Sequence, residues 1–219
     1  HRGHQKLLNR IMKYAQKEDC DSVVCAFDMD RDCLMTNEER RAFLEDKVDY
    51  LIEIPFTREM MEMEAEKFIE EILYKKLHAS HIVVGTDFNF GHEKRGNHQM
   101  LEKYAAKYGY TVDVVEKAYY KDREISSTYI RELLLDGNIP LANELLGYPY
   151  EITSVVEHGQ QLGRTLGFPT MNLAPQEKKI LPKYGVYACR VLVDGVWYGG
   201  VGNAGVKPTV AQEKRRLFE

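Results

Sequence analysis

The chain opens on His1-Arg2-Gly3-His4, directly ahead of a run whose apolar residues recur at helical spacing. Two imidazoles and a glycine at a helix start make an anion site, because the first N–H groups lack partners and the helix dipole is positive there. Gly3 lets a phosphate approach the backbone, and His1 and His4 can donate to oxygens that gain charge in a transition state. Ile125 to Arg131 (ISSTYIR) repeats this logic at another helix start. Ser126, Ser127 and Thr128 offer hydroxyls and a cap, and Arg131 lies one turn on, over the same end. Taken alone, the first motif is equally a frayed terminus with two solvated histidines, and the second an ordinary cap with a surface arginine.

Between them stands VGTDFNFGHEKRG, Val84 to Gly96, directly after an apolar run. Ligands of doubly wound sheets bind beyond the carboxyl ends of strands. Asp87 can accept from a ring N–H, Phe88 and Phe90 can wall a flat ring, and Arg95 can meet a phosphate. The plainer alternative folds both phenylalanines back into the core. Further on, GRTLGFPTMN spans Gly163 to Asn172 and includes Arg164, Gly167 and Pro169. A glycine-flanked loop approaches phosphates closely. Thr170 and Asn172, two apart on an extended segment, face one side and offer oxygen ligands suited to Mg²⁺. Asn203 to Thr209 (NAGVKPT) reads as another loop of similar flavour.

Elements that could position these groups follow from periodicity. Leu7, Leu8, Ile11, Met12 and Ala15 share one face of a first helix. SVVCAF at 22–27 and DYLIEI at 49–54 read as strands, with Cys25 as a core thiol. Thr36 and Glu39 form a capping box for the helix between those strands. Thr57 caps a long helix through Leu77, its apolar face built from Met61, Ala65, Phe68, Ile69, Ile72 and Leu73. HIVVG at 81–85 and YTVDVV at 110–115 are strands flanking a helix from Asn97 to Tyr108, stopped by Gly109. Two short helices run to Gly137 and Gly147. Strands alternating with helices imply a doubly wound parallel sheet. After Pro149 the pattern becomes strand-rich and glycine-rich, with Asp194-Gly195 as a hairpin turn, which fits a small antiparallel barrel. The boundary falls near Gly147, giving an α/β domain over 1–147 and a β-barrel domain over 148–219.

In order and spacing these motifs resemble one family along essentially the whole chain: the bacterial bifunctional riboflavin kinase and FMN adenylyltransferase, the prokaryotic FAD synthetase. HRGHQKLL, VGTDFNFG with Arg95-Gly96, ISSTYIRELLLDGNI, LLGYPYEI, GRTLGFPTMN, LPKYGVYA and NAGVKPT carry the resemblance. It implies a Rossmann-like nucleotidylyltransferase domain that adenylylates FMN, with both helix starts converging on the triphosphate of ATP. It also implies a barrel that phosphorylates riboflavin, using Mg²⁺ and ATP at Thr170 and Asn172. In that family a glutamate shortly beyond the last PT is the kinase base, which points to Glu219 rather than Glu213. His1, His4 and Arg131 become the catalytic groups of the adenylyl transfer. The resemblance departs in three places: a strand with G-x-F-D before HxGH, a loop with His-Pro after SVVCAF, and a closing strand and helix after Glu219. A chain incomplete at both ends is therefore expected, with an open barrel.

Composition narrows the classes. The 219 residues are 44% hydrophobic and 29% charged, within the globular range. Thirty basic against thirty-four acidic residues leave a net charge of −4, which disfavours a dedicated nucleic-acid binder. No apolar run reaches bilayer length, so no membrane partner is expected. Cys20, Cys25, Cys33 and Cys189 show neither a CxxC pair nor a disulfide framework, which suits the cytoplasm. The expected partners are riboflavin, FMN and ATP, with weak self-association. Two alternatives stay open: a nucleotidylyltransferase for another phosphorylated substrate, and a non-catalytic flavin-binding module.

Overall fold

The computed structural model describes residues 1–28, 32–157, 167, 170–208 and 214–219. Two compact units emerge. The first comprises His1–Asp30 with Arg40–Ser126, and the second comprises Arg31–Glu39 with Ser127–Glu219.

The first unit alternates helices with parallel strands. Helix α1 (Arg2–Glu18) leads to β1 (Val23–Asp28), helix α2 (Asn37–Leu44) and β2 (Tyr50–Pro55). β1 and β2 pair in parallel from Val23–Tyr50 onward. Then come α3 (Arg58–Glu62), α4 (Ala65–Lys67) running into a π-helix (Phe68–Lys76), and β3 (His81–Gly85). The loop after β3 carries the short antiparallel pair β4 (Asn89–Phe90) and β5 (Gly96–Asn97). Helix α5 (His98–Tyr108) connects to β6 (Thr111–Val115), which pairs in parallel with β3. Gly109 ends α5 in the left-handed region, as the sequence predicts, while Asn97, read from sequence as the first helical residue, caps the helix instead. A hairpin of β7 (Tyr119–Tyr120) and β8 (Arg123–Glu124) closes this unit. Ala65, Phe68, Ile69, Ile72, Ile82, Val84, Phe90, Leu101 and Tyr110 form its core.

The long helix expected from Thr57 to Leu77 is interrupted. Thr57 does cap α3, but Met63 adopts an extended backbone and its carbonyl accepts the His92 N–H at 2.7 Å. The loop after β3 thus takes a helical acceptor, and the helix restarts at Ala65. Gly91 makes this docking feasible: its φ is +74°, and a Cβ there would stand 2.6 Å from the Ala65 backbone. Cys25 also departs from expectation. Its side chain is exposed on β1, because an apolar run in the sequence does not say which face another element covers.

In the second unit, α6 (Ser127–Asp136) and α7 (Ile139–Leu146) pack together and end at Gly137 and Gly147, both in the left-handed region. The strands are β9 (Val156–Glu157), β10 (Asn172–Leu173), β11 (Gly185–Val193), β12 (Val196–Pro208) and β13 (Lys214–Phe218). They form one five-stranded antiparallel sheet in the order β11-β12-β13-β10-β9. The Asp194-Gly195 turn joins β11 to β12 with φ of +48° and +80°. Asn203 to Pro208, expected as a loop, instead extends β12 along β13, from Ala204–Phe218 to Pro208–Lys214. Glycine and proline suggested a loop, but the ladder tolerates Pro208 because it stands at the end of its strand.

A buried polar group knits this unit to the segment before α2. Glu39 accepts the Thr36 N–H at 2.8 Å, completing the capping box, and accepts the Thr153 N–H at 3.0 Å. Lys179 donates to Glu39 at 2.6 Å and to the Leu34 carbonyl at 2.8 Å. Both side chains are nearly inaccessible, at 3% and 6% exposure.

Candidate active sites

In the first unit the helix start is shaped by its own side chains. His1 is the N-cap of α1, and its Nδ1 accepts the His4 N–H at 3.3 Å. Acceptance requires an unprotonated Nδ1, so His1 caps as a neutral ring. The His1 and His4 rings stack, with centroids 3.8 Å apart. A Cβ at Gly3 would stand 3.0 Å from the His1 ring and 3.5 Å from the Ile125 carbonyl, so a side chain there would press on the stacked imidazole. The His4 ring keeps an exposed edge, yet the protein around it desolvates the charged form and pushes its imidazole down to about 4. Asp87 acts in the opposite sense. At neutral pH His4 therefore offers an anion a neutral N–H donor, not a fixed charge.

The loop after β3 divides its candidates. Asp87 is exposed and lies 3.0 Å from the Lys117 ammonium. Phe88 is half-buried, while Phe90 is 6% exposed, stacked on Phe88 at 5.5 Å and tilted against Phe68 at 5.4 Å. The core claims Phe90, and only Phe88 keeps a surface to offer a flat ring. Arg95 is exposed and pairs with Glu93 at 2.9 Å and Glu64 at 3.8 Å. The motifs did not single out Lys117. Its position was the available signal: it sits two residues beyond β6, at the carboxyl end of a parallel strand.

Ser126 closes the first unit, and Ser127 begins α6 in the second. Thr128 is exposed at that helix start, and the Arg131 guanidinium donates to the Asp32 carbonyl at 3.0 Å. Gly163, Arg164 and Pro169 lie outside the described residues. Gly167 has a φ of +79°.

Three distant segments meet at Glu219. Its main chain exchanges hydrogen bonds with Asn203, N–H to carbonyl at 3.0 Å and the reverse at 2.6 Å, which continues the β12–β13 ladder. The Thr170 hydroxyl donates to the Glu219 carboxylate at 2.8 Å. Leu173 pairs with Phe218, so β10 lies beside β13, and Asn172 on β10 is 6% exposed. The sheet register thus brings Thr170 to Glu219 and buries Asn172 close by. Their donor atoms are all oxygen. Among the described residues no cluster of three or more His, Cys, Asp or Glu could hold a metal by itself.

Comparison with known proteins assigns both halves. Residues 1–129 match the family model described as FAD synthetase, and residues 146–219 match that of riboflavin kinase. The bifunctional riboflavin kinase/FMN adenylyltransferase of Escherichia coli strain K12 is 35% identical over 229 residues, covering 99% of this chain and 73% of that protein. The namesake from Haemophilus influenzae is 36% identical over 222 residues, covering 96% and 72%. That of Listeria monocytogenes is 32% identical over 231 residues, covering 100% and 73%. A crystal structure from Streptococcus pneumoniae, named as a macrolide-efflux protein, superposes with a TM-score of 0.86 at 29% identity, covering 100% of this chain and 75% of that one. Efflux is said of that protein alone; among the described residues here no helix is long and apolar enough to cross a membrane. The chain belongs to the bacterial bifunctional riboflavin kinase/FMN adenylyltransferase family, a transferase that makes FMN from riboflavin and FAD from FMN.

Proposed function

We propose that residues 1–147 carry the adenylyl transfer and residues 148–219 the riboflavin phosphorylation, with ATP as the donor in both. In this reading the parallel pairs are parts of one doubly wound nucleotidylyltransferase sheet. The five-stranded antiparallel sheet is the wall of a small β-barrel.

In the first reaction an oxygen of the FMN phosphate attacks the α-phosphorus of ATP, the α–β anhydride breaks and pyrophosphate leaves. No protein nucleophile is needed, so the protein's part is positioning and charge neutralisation. His1, Gly3, His4, Ser126, Ser127, Thr128 and Arg131 hold the triphosphate, with the neutral His4 N–H directed at oxygens that gain charge. Asp87 and Phe88 serve the flavin ring and Arg95 a phosphate; the burial of Phe90 leaves it a supporting role behind Phe88.

In the second reaction the riboflavin 5′-hydroxyl attacks the γ-phosphorus, its proton passes to Glu219 and ADP leaves. A carboxylate is a weak base, so Glu219 takes the proton late, as the hydroxyl acidifies during transfer. The observation that carries this assignment is the Thr170–Glu219 hydrogen bond, made between residues 49 apart in sequence. The all-oxygen donor set fits Mg²⁺, which Thr170 and Asn172 would hold together with nucleotide oxygens and water. When bound, the ion supplies neutralisation of the phosphate charge. Gly163, Arg164, Gly167 and Pro169 form the nucleotide loop. Four free cysteines suit a reducing cytoplasm, with small-molecule substrates and weak self-association as the associations of the enzyme.

Incubation with riboflavin, ATP and Mg²⁺, followed by fluorescence separation of riboflavin, FMN and FAD, tests the scheme. Successive appearance of FMN and FAD is expected. Neither FMN nor FAD from riboflavin, with FAD still formed from added FMN, would remove the kinase assignment, and FMN without FAD the adenylyl transfer.

A further inference from the structure

At the carboxyl edge of the β3–β6 pair, two lysines cross-tie four segments of the first unit. Lys6 stands on α1 two residues beyond His4. Its ammonium donates to the carbonyls of Lys117 at 3.1 Å and Glu116 at 3.4 Å, which fixes the backbone where it leaves β6. The Lys117 side chain then reaches two carboxylates, Asp87 at 3.0 Å in the loop after β3 and Glu124 at 2.8 Å on β8. Lys117 is the sheltered partner, with 25% exposure against 66% for Asp87. The lysine therefore orients the aspartate, and Glu124 holds the lysine.

Exposed ion pairs contribute little to stability, so fold stability alone does not explain why one ammonium spans two carboxylates here. Charge does. Without Lys117, Asp87 and Glu124 would present two uncompensated negative charges beside the face that a phosphomonoester and a triphosphate must approach, and like charges in proximity disfavour such binding. With Lys117, Asp87 keeps its acceptor oxygens fixed while its charge is offset.

We infer that Lys117 is a positioning residue for the adenylyl transfer, orienting Asp87 toward the flavin and offsetting its charge against the incoming FMN phosphate. This rests on the assignment of Asp87 to the flavin side. Lys117 acts through Asp87, so its removal should matter only where Asp87 is present.

The test is a double-mutant cycle in the full chain, read as FAD formation from added FMN. Lys117→Met should raise the KM for FMN about tenfold with kcat within about threefold, the pattern of lost ground-state binding. Lys117→Arg should recover most of that loss. In an Asp87→Ala background, which itself raises the KM for FMN, Lys117→Met should add less than about twofold, because the two residues act as one unit. FMN formation from riboflavin and the thermal unfolding midpoint should stay near wild type in Lys117→Met; should that variant fold poorly, Lys117→Gln takes its place in the cycle. Additive effects, or an unchanged KM in Lys117→Met while Asp87→Ala raises it, would overturn the inference and leave the Asp87 assignment standing. An unchanged KM in Asp87→Ala would overturn that assignment and the inference with it.

Discussion

At the start of α1 the cap that shapes the candidate phosphate site is local: His1 accepts from His4 three residues on, and the two rings stack. Around Glu219 the shaping contacts are long-range. Thr170, Asn203 and Glu219 meet only because β10, β12 and β13 align in one antiparallel register. The first centre presents neutral imidazoles at a dipole end; the second presents a carboxylate on a strand. A helix start offers donors to an anion wherever a helix forms, whereas a base must be carried to its hydroxyl by the fold. On the proposed assignment the first centre would meet developing charge and the second a proton.

The sharpest test of that contrast is Glu219→Gln, which keeps the strand and removes the base. FMN formation should fall by about a hundredfold to ten-thousandfold while riboflavin and nucleotide binding persist. FAD formation from added FMN should be unchanged, and near-normal FMN formation would move the base elsewhere. Lys179→Met attacks the long-range scaffold of the second unit instead. It leaves Glu39 buried without its cation, which should cost about 3–5 kcal/mol in thermal or urea unfolding. A loss below about 1 kcal/mol would mean that the Thr36 and Thr153 N–H groups suffice for Glu39.

In the local site, His4→Ala should lower FAD formation by about tenfold to a thousandfold, as expected for a donor to a developing charge. FMN formation from riboflavin serves as the internal control. A smaller effect is expected from pH. Because the folded protein holds His4 down to about 4, the unfolded chain takes up its proton first as pH falls from about 6.5. Stability is then lost on acidification through that window. Solvent at the exposed edge should hold the loss to about 1 kcal/mol, measurable as the difference between wild type and His4→Ala in unfolding at pH 7 and pH 5. A group of raised value would give the opposite slope.

Much of the helical punctuation was legible in sequence, because caps and stops are decided within a few residues. The Thr36–Glu39 box, the Thr57 cap, Gly109, Gly147 and the Asp194-Gly195 turn all use side chains or φ values that no distant contact has to supply. The His1–His4 cap is equally local, although in sequence both rings read as anion donors or as solvated side chains. Where the sequence misled, a distant group intervened. His92 took the Met63 carbonyl and split the helix after Thr57, and β13 drew Asn203 to Pro208 into a ladder.

Residue types and spacing by themselves determined the parallel α/β character of the first half, the antiparallel strands of the second, and the family to which the motifs belong. Only the tertiary structure decided which side chain of a motif is free to act. Phe88 and Phe90 are equivalent as letters, but packing against Phe68 takes Phe90 into the core and leaves Phe88 at the surface. Cys25 reads as buried and is exposed; Lys117 carries no motif and yet binds two carboxylates. The physical reason is range. Hydrogen bonds to neighbouring backbone and the steric limits on φ act within a turn, whereas burial and ion pairing depend on which elements the fold brings together.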